Sequence, residues 1–383
     1  MALALYIHWP FCARKCPYCD FNSHVRAEVD QAAWREALLR DLAHEAALTP
    51  GEELGSIFFG GGTPSLMPPA TVAALIEAAA GHWRLAPGVE ITLEANPSSV
   101  EAANFASLAA AGVNRISLGL QALDDAALRF LGRLHDVGEG LAALDVAQRA
   151  FARVSFDLIY ARPEQSADAW AGELSRALGF GTGHLSLYQL TIEAGTRFAT
   201  LAREGALRPL DDDRAADLWA LSRNLTAAAG LPAYEVSNHA RPGEESRHNL
   251  AYWRYRDYLG VGPGAHGRRH ASATLRHKKP ENWLAAVARS GHGIAEETGL
   301  APATQASEAL LMGLRLSEGV DLADIGARFG FAPAELIDAR KLPLHLRLGL
   351  VRQEGSRLIV TPAGMPLLDA LLADLVSEAL VSA

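Results

Sequence analysis

The stretch that organises this sequence is YIHWPFCARKCPYC, which spans residues 6–19. Its first half is apolar and aromatic, as in a buried strand, and its second half carries Cys12, Cys16 and Cys19 in the spacing C-x3-C-x2-C. These are the only 3 cysteines of the 383-residue chain, which argues against a disulfide framework. Three thiolates on one tight loop can each bind one iron of a cubane and leave the fourth iron open to a small molecule. The spacing therefore predicts a [4Fe–4S] cluster on these cysteines.

Two alternatives to a cluster stay open at the level of the residues. A structural zinc site normally has four protein ligands, and His8 or His24 could supply the fourth. The chain would then be a zinc-stabilised interaction protein. Three unrelated buried cysteines are the simplest alternative, but the tight spacing directly after a strand favours a cluster.

Six apolar or β-branched runs alternate with alanine-rich stretches of helical spacing. One helix is predicted over 31–48, where Trp34, Leu38 and Leu42 share a face, and another over 124–134. Strands that alternate with helices form parallel sheets, and six units are fewer than the eight of a closed barrel. The predicted fold class is therefore α/β, a partial (β/α)6 TIM-like barrel. Its strands are predicted at 5–9, 56–59, 89–94, 115–120, 153–160 and 184–191.

The second half of the chain loses this rhythm. Residues 1–235 are predicted to form the barrel with the cluster, and 236–300 a connecting segment that contains the motif HNxxYW. Residues 301–383 read as several helices, a short strand at 357–360 and a final amphipathic helix from Met365. We expect this last region to be a C-terminal helical, winged-helix-like domain.

Polar motif residues stand at or near the ends of four more predicted strands. The glycine-rich run GGGTPS, residues 60–65, follows the second strand, and Glu94 and Gln121 stand at the ends of the next two. Asp157 lies inside the apolar fifth strand, where an unpaired charge costs several kcal/mol, so a ligand or an arginine partner is expected. Ligands of parallel α/β folds bind at the carboxyl ends of strands, so these residues should face one shared mouth. Taken singly, the glycine run could be a simple turn and Glu94 a helix cap.

The residues of the opening stretch and of the GGGTP segment resemble the radical S-adenosylmethionine (SAM) superfamily. More narrowly, the chain resembles the branch that contains oxygen-independent coproporphyrinogen III dehydrogenase and the heme chaperones of the HemW type. The resemblance runs over nearly the whole chain, including its C-terminal region. It implies two cofactors, a [4Fe–4S] cluster and SAM, with SAM bound to the open iron.

The resemblance also implies roles for single residues. Gly61, Gly62 and Thr63 belong to the segment that contacts the amino group of SAM, and Glu94 matches a further SAM contact. Tyr6 matches a residue beside the cluster and SAM, although it could equally be a core aromatic. The positions that the dehydrogenase uses for a second SAM are matched by Gln121, Arg133 and Asp157.

Three features favour the chaperone over the dehydrogenase. Phe21 stands where the dehydrogenase has a fourth cysteine, and eleven residues precede Cys12, where the dehydrogenase has a longer stretch. The third is the hexad 248–253, HNLAYW, which matches the segment tied to heme binding in HemW-type chaperones. We therefore expect the chain to bind heme and pass it to acceptor proteins, with His248 as the first candidate for an iron ligand and His266 as the second. A dehydrogenase that decarboxylates coproporphyrinogen III is the alternative, so whether the chain is an enzyme stays open.

One segment departs from the family pattern. The family has Gly-Leu-Pro-Gly-Gln after the Asp157 strand, whereas residues 161–165 are Ala-Arg-Pro-Glu-Gln. The charged Arg162 and Glu164 leave open the shape of the cavity near the second SAM position.

Charge and hydropathy narrow the partners. The net charge of −9 argues against nucleic acid as a partner, because phosphate binding requires a basic surface. The sequence has no apolar run of the roughly 18 residues that a membrane span requires, and its start lacks the features of a secretory signal. A cytoplasmic location is expected, and transient membrane association stays open.

Overall fold

The computed structural model describes residues 2–381 of the chain. Its strands are β1 Leu3–Trp9, β2 Phe11–Cys12, β3 His24–Val25, β4 Glu53–Gly61, β5 Arg84–Ala95, β6 Arg115–Gln121, β7 Arg153–Tyr160, β8 His184–Gln189, β9 Asn238–Ala240, β10 Tyr258–Val261, β11 His266–Arg269, β12 Ser272–Arg276, β13 Ile294–Gly299, β14 Val320–Asp321, β15 Val351–Glu354 and β16 Arg357–Val360.

The helices cover one face of the sheet and build the C-terminal region. They are α1 Gln31–Leu48, α2 Pro69–His82, α3 Ser99–Ala102, α4 Phe105–Ala110, α5 Asp125–Phe130, α6 Val137–Ala150, α7 Ala167–Leu178, α8 Arg197–Arg203, α9 Asp212–Ala228, α10 Arg247–Trp253, α11 Pro280–Ser290, α12 Pro302–Gly313, α13 Leu322–Phe329, α14 Pro333–Leu336, α15 Leu342–Arg347, α16 Leu368–Leu375 and α17 Glu378–Val381. Short 3₁₀ turns lie at Pro64–Leu66 and Met365–Leu367.

The central sheet confirms the predicted partial barrel. Its strand order is β13-β12-β11-β10-β1-β4-β5-β6-β7-β8-β9, and the six predicted strands, β1 and β4–β8, are parallel neighbours. Strand β10, a four-residue strand in a glycine-rich segment, was not predicted and adds a further parallel strand beside β1. The antiparallel strands β11–β13 extend that edge, and β9 extends the other, so the sheet stays open.

The two faces of the barrel strands have different chemistry. On β5, Ile91 and Leu93 point outward into the main hydrophobic core, while Glu90, Thr92 and Glu94 alternate with them on the inner face. The same alternation puts further polar side chains inside, so the interior is more polar than the apolar runs suggest. Polar groups directed at the strand ends are what a ligand site requires.

A buried ion cluster fixes the β11–β12 hairpin to α1. The Arg276 guanidinium, fully buried, donates 2.7 Å from Nε to Asp41 Oδ2 and 2.8 Å from Nη2 to Glu45 Oε1. Asp41 Oδ2 also accepts the backbone N–H of Gly262 at 3.0 Å. Removing one partner of such a buried pair costs about 3–5 kcal/mol, because the other charge stays desolvated. The hairpin is therefore held firmly beside the mouth of the barrel.

The C-terminal region has its own hydrophobic core around Leu310, Leu336, Leu358 and Leu375. A three-stranded antiparallel sheet in the order β14-β16-β15 lies beside its helices. The predicted strand at 357–360 is confirmed as β16, while β14 and β15 were not foreseen. The boundaries at residues 235 and 300 stay predictions. Within residues 2–381, no helix is both long enough and apolar enough to cross a membrane.

Candidate functional site

A cavity of about 370 Å³ opens at the carboxyl ends of the barrel strands. We call it the cysteine cavity. It brings together most of the side chains that the sequence singled out, although they come from five separate motifs. Those that line it are Cys12, Cys16, Cys19, Gly61, Gly62, Thr63, Glu94, Gln121, Arg133 and Asp157.

A chain of hydrogen bonds frames two of the three thiols. The Thr63 hydroxyl donates to Cys12 Sγ at 3.4 Å and accepts from Asn96 Nδ2 at 3.0 Å. Arg133 donates to Asn96 Oδ1 and, through Nη1, to Cys16 Sγ at 3.5 Å. This path joins Cys12 to Cys16 through the ends of β4 and β5, so the barrel itself positions residues 12–23, which we call the cysteine loop. Donors aimed at sulfur stabilise thiolates, which are the iron-binding form.

The glycines after β4 are required by close backbone approach. Gly61 has φ +118°, and a Cβ there would lie 2.8 Å from the carbonyl oxygen of Trp9. A Cβ at Gly62 would lie 2.7 Å from the Phe11 oxygen and 3.0 Å from Cys12 Sγ. A larger residue at either position would push the cysteine loop away from the strand end.

Two carboxyl groups face the cysteine cavity, and neither has an ion-pair partner within residues 2–381. Burial, with the nearby Asp157 charge, raises the pKa of Glu94 to about 8, and burial raises the pKa of Asp157 to about 6. Glu94 Oε2 accepts the Gly61 N–H at 3.2 Å, and Asp157 Oδ1 accepts from the Ser117 hydroxyl at 3.5 Å. Such shifts indicate that a cationic ligand would be favoured here, because it would restore the ionised form of both groups.

The donor set fits a cluster with one open iron. The three thiols face one cavity, and Arg133 Nε is buried with no hydrogen-bond partner among residues 2–381. In this described part of the chain, no three histidine, cysteine, aspartate or glutamate side chains converge closely enough to hold one metal ion. A cubane does not require such convergence, since each thiolate binds a different iron.

A second cavity, of about 610 Å³, lies on the β1–β10 side of the first. We call it the tyrosine cavity. Tyr6, Tyr252 and Tyr258 form much of its wall, and its rim carries Lys15 and Lys278. The residues that line both cavities, and so form the wall between them, are Lys15, Asp20, Phe21, Gly61 and Glu94.

A hydrogen-bonded chain runs along the floor of the tyrosine cavity. His8 Nε2 lies 2.9 Å from the Asn22 carbonyl oxygen, and its Nδ1 lies 2.9 Å from the Tyr6 hydroxyl. A carbonyl can only accept, so Nε2 carries the proton and Nδ1 accepts from Tyr6. Burial lowers the pKa of His8 to about 4, so the ring is neutral. Both of its nitrogens are therefore in use.

His248 lies behind Tyr252, outside the tyrosine cavity, and lines neither of the two cavities. Its ring is buried, with Nδ1 3.1 Å from the Ser56 hydroxyl and its centroid 4.7 Å from that of Phe58. The ring also packs edge-on against Tyr252 at 5.0 Å. Glu90 accepts the backbone N–H of His248 at 3.1 Å, which fixes the first turn of α10. His248 as an iron ligand stays a prediction, and the contacts observed here are those of a residue that supports Tyr252.

Several residues at the site carried no sequence signal of their own. Asn22 donates through Nδ2 to the carbonyls of Pro263 and Lys278, each at 2.9 Å. These contacts join the cysteine loop to the β10–β12 region across 241 positions of sequence, which no local pattern reveals. Asn96 was visible at the end of the third predicted strand, but its role between Thr63 and Arg133 was not.

The departing segment 161–165 does not enter the cysteine cavity. Arg162 turns outward and forms a two-pronged ion pair with Glu173, which also accepts the Leu123 N–H at 2.7 Å. Glu164 is exposed. Ala161 and Glu164, which stand where the family has glycine, have φ +54° and +60°. The turn thus holds non-glycine residues at two left-handed backbone positions, and the ion pair between Arg162 and Glu173 stabilises it.

Comparison with known proteins identifies the family of this chain. Residues 6–173 match the Radical SAM superfamily, and residues 300–367 match the HemN C-terminal domain. Radical S-adenosyl methionine domain-containing protein 1, mitochondrial, of Bos taurus is 43% identical over 326 residues, which is 83% of this chain and 74% of that protein. Heme chaperone HemW of Mycobacterium tuberculosis is 37% identical over 372 residues, 96% of this chain and 93% of its own. The solved structure of coproporphyrinogen III oxidase (HemN) from Escherichia coli covers 97% of this chain and 89% of its own, with TM-score 0.82 at 22% identity, and shows a shared fold.

Proposed function

We propose, from the premise that this chain belongs to the radical SAM superfamily and within it to the group of the HemW heme chaperones, that it binds heme and transfers it to acceptor proteins. A [4Fe–4S] cluster and SAM are its proposed cofactors. The observation that carries the proposal is the tyrosine cavity, an aromatic cavity with two lysines at its rim that lies beside the cysteine cavity. A chaperone needs a place for its cargo apart from its cofactors, and this pair of cavities offers one.

The cysteine cavity is the proposed cofactor site. Cys12, Cys16 and Cys19 would hold three irons, and Gly61 and Glu94 would receive the amino group of SAM. When reduced, the cluster could supply the electron that cleaves SAM. Thr63 and Arg133 hold the thiols in place, and the raised pKa of Glu94 keeps that carboxyl ready to ionise when a cation arrives.

A second SAM site stays a proposal at Gln121, Arg133 and Asp157. Arg133 is already engaged with Asn96 and Cys16, so its first role is to position the cysteine loop. The carboxyl of Asp157 faces the cavity and still has acceptor positions for a ligand.

The tyrosine cavity is the proposed cargo site. Its volume lies within the range of small-molecule pockets, about 300–1,000 Å³, and its walls are aromatic. The rings of Tyr252 and Tyr258 lie 4.2 Å apart, centroid to centroid, tilted by 39°, and offer aromatic surface for contact with a porphyrin. Phe21, in place of the cysteine of the dehydrogenase, is 61% exposed on the shared wall, where it can neither bind metal nor transfer a proton.

The test is an anaerobic transfer experiment with reconstituted protein. Heme-loaded protein is mixed with a heme-free acceptor that has been immobilised, and the heme is followed by its Soret absorbance, with SAM and reductant present or absent. The proposal predicts saturable heme binding and transfer faster than from free heme. Conversion of coproporphyrinogen III with release of carbon dioxide would instead establish the dehydrogenase.

Location and acceptors belong to the proposal as well. A cytoplasmic place of action is proposed, although the related protein of Bos taurus is named mitochondrial. Fractionation of cells that produce the protein at native level would place it, and crosslinking of the heme-loaded form would identify acceptors.

A further inference from the structure

The tyrosine cavity has one imidazole that is free to bind a metal. We propose that His266 supplies the nitrogen ligand to heme iron in this cavity, and that Lys278 and Lys15 pair with the heme propionates. The inference deepens the proposed function and rests on it. It names the residues that would recognise the cargo by its iron and by its two carboxylates.

Comparison of the three nearby histidines singles out His266. Both nitrogens of His8 are taken by Tyr6 and Asn22, and the buried ring of His248 lies behind the wall beside Ser56. His266 is exposed on the cavity surface, and its ring makes no hydrogen bond to another residue within 2–381. An imidazole with a free nitrogen on a cavity wall meets the requirement for an axial ligand.

The charge around His266 favours the neutral ring. Burial and, second, the Lys278 charge lower the pKa of His266, so a nitrogen lone pair is available at neutral pH. Lys278 is exposed at the rim, and Lys15 stands on the shared wall. The acidic groups that face the same cavity are Asp20, which is exposed, and Glu94, whose raised pKa keeps it largely protonated at pH 7. Lys15 and Lys278 thus bring two ammonium groups to the cavity, one for each propionate, against the single exposed carboxyl of Asp20.

The surface between these groups is largely aromatic. Tyr252 and Tyr258 form an aromatic wall, and the Arg268 guanidinium lies 5.2 Å from the Tyr258 ring centroid, which braces that wall from behind. Phe21 is largely exposed on the shared wall between the two cavities, which is an unfavourable position for an aromatic ring in contact with water. A macrocycle would cover this ring while its iron meets His266.

The hairpin that presents His266 and Lys278 is fixed in place. Asn22 donates to the carbonyls of Pro263 and Lys278, and a Cβ at Gly264 would lie 2.5 Å from Asn22 Nδ2. Gly264 also has φ +75°, a conformation that glycine adopts without cost. The hairpin thus packs closely on the cysteine loop, so the proposed ligand is held on a built surface.

The first experiment compares His266→Ala with His277→Ala, a matched control on the same hairpin whose side chain lines neither cavity. Ferric heme is titrated into each reconstituted holoprotein, and the iron ligand is read by magnetic circular dichroism and electron paramagnetic resonance. We expect His266→Ala to lose the histidine-ligated signature and added imidazole to restore it, while His277→Ala keeps it. Thermal unfolding and iron content confirm that each variant is folded and loaded.

The outcomes separate this inference from the proposed function. A histidine-ligated signature that persists in His266→Ala would overturn the ligand assignment and leave heme binding intact. Loss of the same signature in His248→Ala alone, with imidazole rescue, would move the ligand to α10. Absence of saturable heme binding in the unsubstituted protein would sink the chaperone proposal itself.

The second experiment tests the propionates with a modified heme. Lys278→Ala should weaken binding of heme about tenfold, a loss expected for one charge-assisted contact, about 1.4 kcal/mol. It should leave binding of the heme dimethyl ester unchanged, since the ester has no carboxylate to lose. Equal weakening of both ligands would show that Lys278 acts on the cavity as a whole and would overturn its pairing with a propionate.

Discussion

The cysteine cavity and the tyrosine cavity share a wall but are assembled in different ways. The first is built where neighbouring parallel strands end, so that motifs spaced along the sequence meet without further help. The second is formed by β1, the cysteine loop, α10 and the β10–β12 region. Asn22 connects the cysteine loop to that region over 241 positions of sequence. Barrel topology alone can therefore locate a cofactor site, whereas a cargo site added at the sheet edge depends on long-range packing.

The largest expected effect comes from removing one thiol, which should abolish binding in the cysteine cavity and leave binding in the tyrosine cavity intact. Cys16→Ala leaves two of the three proposed iron ligands, and cluster ligation and SAM binding should both be lost. Heme binding should persist, because Cys16 lines only the cysteine cavity. Iron and sulfide analysis, SAM binding and heme titration give the three measurements. Val25→Ala, exposed just beyond the same loop, is the control. Zinc without sulfide in the unsubstituted protein would favour the zinc-stabilised interaction protein instead.

Truncating an aromatic of the other cavity should produce the opposite pattern. Tyr252→Ala removes part of the aromatic wall, and heme affinity should fall about tenfold, in line with the roughly 0.5–1.5 kcal/mol of an aromatic stacking contact. SAM affinity should not change. Tyr252→Phe keeps the ring and should bind heme as the unsubstituted protein does. A fall in SAM affinity in Tyr252→Ala would show that the cavities are coupled.

The affinity for SAM should rise with pH. In the free protein the pKa of Glu94 is about 8 and that of Asp157 about 6, so both groups bind protons that a cationic ligand must displace. Binding should release protons, and affinity should increase from pH 6 towards pH 8 and level off above it. Calorimetry in buffers of different ionisation enthalpy counts the protons. Glu94→Gln should remove most of the pH dependence, and an unchanged profile would contradict the role of this carboxyl.

The smallest effect is expected at the turn that lies outside both cavities. Glu164 has φ +60°, so Glu164→Gly should relieve backbone strain and raise the free energy of unfolding by about 0.5–1 kcal/mol. The urea midpoint measures this change. Glu164→Ala removes the same charge but keeps a Cβ, so it should give no gain. Neither variant should alter SAM or heme affinity, and a change in either would place the turn in the site.

The six barrel strands and the cysteine cavity could be read from the sequence because each signal is local. The C-x3-C-x2-C spacing, the glycine run and Glu94 all follow a strand directly, and parallel topology brings strand ends together. Strand β10 lies in a glycine-rich segment, β14 has two residues, and β15 is the largely polar Val-Arg-Gln-Glu, so none of them gives a periodic apolar signal.

The tyrosine cavity could not be predicted in the same way. Tyr258 and Lys278 enter it only because the hairpin folds back onto the cysteine loop, a contact with no sequence pattern. The hexad 248–253 drew attention to His248. The residue of the hexad that reaches the cavity is Tyr252, four positions further along. On α10, four positions of separation put both rings on one face, and the ring nearer the barrel interior is covered.

The most direct test of the central claim is an anaerobic heme titration that compares Tyr252→Ala with Asp157→Asn by Soret absorbance. The two residues line different cavities, so each variant serves as the control for the other. We expect saturable binding that Tyr252→Ala weakens and Asp157→Asn leaves unchanged. Binding that is weakened by Asp157→Asn and not by Tyr252→Ala would put heme in the cysteine cavity and contradict it.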